Sequence, residues 1–191
     1  MAIYFTADQH FFHKNVISFE QRPFETVEEM NEALVQAWNR VVSYHDTVYV
    51  LGDFVFHKYA NWIEIFERLM GDIVFIRGNH DDRKVLKRLV HEGFFVEYHD
   101  VGAYLKVGGH QLWLSHYPME IGLRPKKWSI HGHIHSTSST WGNQLNVGVD
   151  SPLLKSRPFG EPVSLEELIE IMDERTPAIE EKFLSRMNGG E

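Results

Sequence analysis

The nine residues Ile73-Val74-Phe75-Ile76-Arg77-Gly78-Asn79-His80-Asp81 decide how this chain folds. Four apolar residues read as a short strand, and the run stops in a glycine followed by side chains able to bind cations or move protons. The same grammar occurs twice upstream. Ile3 to Phe5 runs into Thr6-Ala7-Asp8, and Thr47 to Leu51 runs into Gly52-Asp53. Between these strands the spacing turns helical. Thr26 and Glu29 have the separation of a capping box, and Val27, Met30, Leu34, Trp38 and Val41 follow at helical intervals. Trp62, Ile65, Phe66 and Leu69 repeat the pattern up to Gly71, as do Val85, Leu86, Leu89 and Val90 up to Gly93.

Beyond Phe94 the helical spacing gives way to consecutive strand-like runs. One covers Phe94 to Ser115, with Gly108-Gly109 as a hairpin turn, and others cover Trp128 to His135 and Gln144 to Val149. Ser164 and Glu167 then open a helix expected to reach about Met172. Alternating strands and helices followed by consecutive strands predict a layered α/β protein, with one mixed sheet or two packed sheets. Residues 1–187 are expected to form one domain, with a disordered tail over 188–191.

The 191 residues are 43% hydrophobic, enough for one ordinary core. Cysteine is absent, which excludes disulfides and thiolate ligation, so any metal must be held by nitrogen and oxygen. No apolar run approaches the roughly 18 residues of a membrane span and no signal-like segment opens the chain, so a cytoplasmic location without membrane contact is the expectation. The net charge of −8 argues against a broad grip on duplex nucleic acid. Residues 161–181 carry −7 of it, however, so the rest of the chain does not repel a phosphate-bearing substrate.

Ligand sites in open α/β sheets lie at the carboxyl ends of strands, and there this chain keeps its metal-competent residues. They are Asp8 and His10, Asp53, Asn79 with His80, His116, and the run His131-Gly132-His133-Ile134-His135. Each alone has an ordinary explanation: a satisfied histidine, a turn aspartate, or a helix cap at Asn79. Five strand ends that each supply ligands, with Arg77 the one cation interleaved, are another matter. Clustered carboxylates repel one another unless cations bind between them. Three histidines on alternate positions of an extended run would share one side, so spacing leaves open which of His131, His133 and His135 bind. A break at Gly132 would separate the first from the other two.

Asp8-x-His10, Gly52-Asp53, Gly78-Asn79-His80-Asp81, His116 and Gly132-His133-Ile134-His135, in this order, resemble the five motifs of the calcineurin-like metallophosphoesterases. Residues 6–15, Arg22-Pro23-Phe24 and Asn146 to Asp150 further resemble the small bacterial and phage-encoded members. The resemblance implies a four-layer α-β-β-α sandwich with two mixed sheets around two divalent metal ions, manganese first, with iron, zinc, cobalt or nickel as alternatives. One metal would take Asp8, His10, Asp53 and His135, the other Asp53, Asn79, His116 and His133, with Asp53 bridging. Such a pair, about 3.5–4 Å apart, can share a hydroxide for in-line attack and clamp the phosphoryl oxygens. His133 and His135 would then be ligands and His131 a supporting residue.

By the same resemblance His80 protonates the leaving oxygen, a role that suits an imidazole near neutral pH. Asp81 would orient His80 or serve as a helix-start carboxylate. Asn15 and Arg22 are candidate phosphate contacts, Arg22 equally a structural salt-bridge residue. His45, His57, His91, His99 and His110 read as surface residues, and Tyr117-Pro118 as the turn after His116. The expected activity is hydrolysis of phosphate esters, with diesters favoured because so short a chain leaves little material for a deep cap. The rivals are a non-catalytic metal-binding scaffold, for which His80 would be superfluous, and a single-strand nuclease. The latter lacks a basic-aromatic stripe, since Lys126-Lys127-Trp128 is one short cluster that reads as a solvated turn.

Overall fold

Two mixed β-sheets lie between layers of helix in the computed structural model, which describes residues 1–56 and 58–188. In the first sheet, β1 (Ile3–Thr6), β2 (Thr47–Val50), β3 (Asp72–Ile76) and β4 (Glu97–His99) run parallel, and β9 (Val163–Ser164) pairs antiparallel with the outer side of β1. In the second, β5 (Gly102–Val107) and β6 (His110–Ser115) form the expected hairpin, while β7 (Lys127–His131) and β8 (Gln144–Asn146) add parallel to β6.

Alternation along the strands explains the layering. From β1 and β2, Tyr4, Val48 and Val50 pack outward against Met30, Leu34 and Trp38 of α2 (Val27–Val41), Trp62 and Ile65 of α3 (Tyr59–Phe66), and Leu86 and Leu89 of α4 (Arg83–His91). Phe5, Tyr49, Leu51 and Ile76 face the other way. They meet Leu112, Leu114, Trp128 and Ile130 of the second sheet in a core that also takes in Leu168, Met172 and Ile179 of α5 (Leu165–Met187). Both expected caps sit at helix starts: Thr26 accepts from the Glu29 amide, though the Glu29 carboxylate takes the Glu25 amide and leaves that box half closed, whereas Ser164 and Glu167 cap each other reciprocally.

Several expectations need correction. Helix α5 runs 15 residues past Met172 even though Pro177 lies inside it. Its apolar spacing resumes beyond the proline, and burial of Ile179 offsets the roughly 3 kcal/mol an interior proline costs. A short helix, α1 (Lys14–Phe19), follows the first motif. Strand β7 stops at His131, and Trp128 is buried inside it rather than in a solvated turn. His110 is 1% exposed, not a surface residue. The Trp128 indole N–H donates to its Nδ1, so its Nε2–H donates to Asp173 at 3.0 Å and ties the hairpin to α5. His57 and residues 189–191 of the expected tail lie outside the described residues.

Candidate metal centre

The polar side chains collect where the two sheets meet at their carboxyl ends. Past β1 and β2 the backbone stays paired, with the Asp8 amide on Gly52 O at 3.1 Å and the His10 amide on Asp53 O at 3.0 Å. Ala7 bridges to Gly148 after β8, which stitches the first sheet to the second. The loop after β7 returns here because the Gly132 amide donates to His116 O at 3.0 Å.

Among the described residues eight non-glycine residues have left-handed backbone, and five of them are expected ligands: Asp8 (φ 60°), His10 (φ 51°), Asp53 (φ 53°), His133 (φ 70°) and His135 (φ 45°). Such conformations are uncommon and strained for side-chain-bearing residues, and they cluster at functional sites. Close approach of backbone is the second device. A Cβ on Gly132 would stand 2.5 Å from Asp8 Oδ2, one on Gly148 would strike the same oxygen, and one on Gly78 would strike Asp53 Oδ1. Glycine at these positions lets the chain wrap both carboxylates.

Among the described residues three donor groups form, and two of them share Asp8; the third is Glu20, His135 and Asp150. Asp8, His10 and His135 bring one ligand atom each within 4.8 Å of one another, and so do Asp8, Asp53 and His116. Asp8 belongs to both. Asp53 also stands between the two, its Oδ2 3.7 Å from His10 Nε2 and 3.4 Å from His116 Nε2. Asn79 presents Oδ1 2.9 Å from His116 Nε2. His133 lies at the edge of the second group. Its amide donates to both Asp8 oxygens and its ring packs edge-on against His116 and Tyr117.

The orientation of His116 tests whether this set fits a cation. Its Nδ1 lies 2.8 Å from Leu51 O, which can only accept, so Nδ1 carries the proton and Nε2 offers a lone pair. That lone pair faces the oxygens of Asp53 and Asn79, and a positive charge is what three converging acceptors require. Without metal a proton fills the role. Burial opposes it, but the hydrogen bond to Asp53 and the charges of Asp8 and Asp53 outweigh burial and push the ring up to about 9. Burial pushes the Asp8 carboxyl up to about 7. Asp53 is held down to about 2, burial being overcome by His116 and by the His80 amide, and burial pushes His10 down to about 3, which leaves its lone pair free to ligate. Divalent ions suit this nitrogen and oxygen set.

Residues around the donors hold them in place, and several were not assigned this work from sequence. Asp150 accepts from His135 Nδ1 at 2.9 Å, which turns the opposite nitrogen toward Asp8 and His10, the arrangement by which carboxylates commonly orient metal-binding imidazoles. Arg22 is buried beneath the site, not on its open face. It donates twice to Asp150 and also to the main-chain oxygens of Asp8 and Gln9 at 2.7 Å each. Asp81 neither orients the His80 ring nor caps α4, whose N-cap is Asp82. Its carboxylate accepts from the amides of Asp53, Phe54 and Gly78 and so braces the loop that carries Asp53. His131 is fully buried with Nδ1 on Gly132 O and Nε2 on Ser139, outside all three donor groups. His80 is exposed at the mouth, its ring 5.4 Å from that of His10, while its amide donates to Asp53 Oδ1 at 2.8 Å. Asn15 is exposed on α1.

The chain is similar to several known proteins. The chain is 35% identical over 181 residues to an uncharacterized protein of Methanocaldococcus jannaschii, covering 90% of this chain and 91% of that one. It is 27% identical over 202 residues to the Gene 66 protein of Mycobacterium phage L5, covering 89% and 93%. The crystal structure of a protein of unknown function from Aquifex aeolicus superposes with a TM-score of 0.68 at 25% identity, covering 89% of this chain and 98% of that one. The calcineurin-like phosphoesterase profile matches residues 1–176, the span that contains both sheets and every donor named above. By this match, its fold and its donor groups, the chain belongs to the calcineurin-like phosphoesterase family, whose chemistry is metal-dependent hydrolysis of phosphate esters.

Proposed function

We propose that the protein is a phosphodiesterase that works with two divalent cations, manganese being the first choice among those its nitrogen and oxygen donors accept. The observation that supports this most is the sharing of Asp8 between two donor groups with Asp53 Oδ2 lying between His10 and His116. When bound, such a pair of cations lowers the pKa of a water and draws charge from the phosphoryl oxygens. The chain holds the donors rigid through Asp81, Asp150 and the glycine contacts, so little reorganisation accompanies the reaction. His80 stands exposed at the mouth and gives a proton to the departing ester oxygen. Asn15 contacts the phosphoryl group, a role Arg22 does not share because its guanidinium is committed to Asp150 and to main-chain oxygens.

Diesters are favoured over monoesters because the rim residues Asn79 and His80 are exposed, leaving room for ester arms on both sides of the phosphorus. The test is a panel of p-nitrophenyl phosphate, bis(p-nitrophenyl) phosphate and cyclic nucleotides, run on manganese-reconstituted protein against a verified metal-free sample. The diester should be hydrolysed at least tenfold faster than the monoester. Equal activity of the metal-free sample would end the metal-dependent reading, and faster monoester turnover would end the diester preference.

A further inference from the structure

Helix α5 carries much of the negative charge, yet one line along it is cationic. Arg175, Lys182 and Arg186 are separated by seven and four residues, spacings that return to the same side of a helix. With Leu123, Trp141 and Ile179 they line a cavity of about 500 Å³, and among the described residues no carboxylate lines it. Arg175 is anchored through Nη1 on Gly142 O at 3.3 Å, whereas Lys182 and Arg186 are exposed and have no ion-pair partner among the described residues. Arg124, over the Phe183 ring at 5.7 Å, adds a fourth cation beside the helix.

Trp141 is half-buried and stacks on no other ring among the described residues. It also borders a hollow of about 460 Å³ that runs past Ser138 and Ser139 to Asn146, and another of about 300 Å³ that reaches Ile134. Asn146 holds His135 O at 2.8 Å, and Ile134 stands between His133 and His135. The cationic cavity, the free indole and a hydroxyl-rich loop therefore lead to the edge of the donor groups.

The chemistry that matches is specific. Local positive charge in a molecule of net −8 selects an anion, and an unstacked indole selects a planar ring. Three cations along one line beside a single indole select a chain of phosphates that carries at least one exposed base. We propose that α5, Trp141 and the loop of residues 136–140 bind a short single-stranded oligonucleotide, with phosphates on Arg175, Lys182 and Arg186 and one base on Trp141, and lead it toward the metal centre. Binding stands on this surface alone; its use for hydrolysis rests on the phosphodiesterase reading.

The test is fluorescence anisotropy of dye-labelled octathymidylate with the full-length, metal-free protein across a range of salt. Lys182→Glu combined with Arg186→Glu should raise Kd at least tenfold and reduce the slope of log K against log salt by about 1.4, two phosphate contacts being lost. Trp141→Ala should raise Kd about fivefold or more, and Trp141→Phe should keep most of the affinity. An unchanged Kd in the double charge reversal overturns the proposal. So does an octaglutamate peptide that displaces the oligonucleotide as well as unlabelled octathymidylate does. The manganese-loaded protein is assayed in parallel on bis(p-nitrophenyl) phosphate. Absence of hydrolysis there defeats the enzymatic reading alone, and hydrolysis without oligonucleotide binding defeats this inference alone.

Discussion

Arg22 and Asp150, 128 residues apart in the chain, meet in a buried two-pronged ion pair with Nε on Oδ1 at 2.9 Å and Nη2 on Oδ2 at 2.8 Å. The same Oδ2 accepts from His135, and the same guanidinium holds the main chain of Asp8 and Gln9. One pair thus sets the position of two donors that enter the centre from opposite ends of the sequence.

Asp150→Asn should therefore weaken metal binding about 10–100-fold, because His135 loses the carboxylate that orients it. It should also lower stability by about 3–5 kcal/mol, because a buried guanidinium is left without its counter-charge. Cobalt titration followed by visible absorption reads the first effect and urea unfolding the second. Lost stability with undiminished cobalt affinity would assign the pair to the fold alone.

Metal affinity should climb with pH between about 7 and 9. In the metal-free chain the His116 ring keeps a proton up to about 9, and ligation requires its lone pair, so each binding event releases that proton. Affinity then rises with pH until the ring is already deprotonated, and flattens above that. Calorimetry in buffers of different ionisation enthalpy counts the protons released. No release at pH 7.5 would contradict this account of His116.

His80→Ala should retain its metal and lose most turnover on substrates with poor leaving groups, about 10²–10⁴-fold, with a much smaller loss on activated aryl esters. The metal stays because His80 braces Asp53 through its amide, which survives the substitution. Equal losses on both substrate types would show that the imidazole does something other than donate a proton.

Among the three histidines of the 131–135 run, His133→Ala and His135→Ala should each lose metal and nearly all activity, whereas His131→Ala should keep its full complement. His131 is spent on Gly132 O and Ser139, while His133 and His135 sit on the far side of the break. Elemental analysis of the three purified variants decides it. Loss of metal from His131→Ala, with retention in either of the others, would reverse the assignment.

Much of this was legible because the informative features are local. A four-residue apolar run ending in Gly-Asn-His-Asp announces a strand and its terminal loop together, and Gly132 announces the break before His133. Long-range work left no such mark. Nothing near Asp150 points to Arg22, and the valine-rich run before it looks like any strand end. Asp81 sits beside His80 in sequence but turns its carboxylate to the Gly52-Asp53 loop, a pairing set by the register of β2 and β3. His110 looks like a hairpin histidine until α5 packs over it, and the apolar spacing of α5 resumes only beyond Pro177. The cationic line on α5 is hidden in the sequence because acidic residues interrupt it there, though not on the helix surface.

The antiparallel pairing of Tyr4 with Ser164 and of Phe5 with Val163 bears on how the protein is made. The first strand synthesised acquires its second neighbour only when the chain has grown past residue 164. Until then one edge of β1 stays open, even after His135 and Asp150 have joined the chain. Pairings of such sequence separation slow folding and prolong the life of unpaired edges. A ribosome-bound chain that stops short of β9 should consequently be sensitive to protease within its first ten residues, and protection there should arise only once β9 and the start of α5 have emerged.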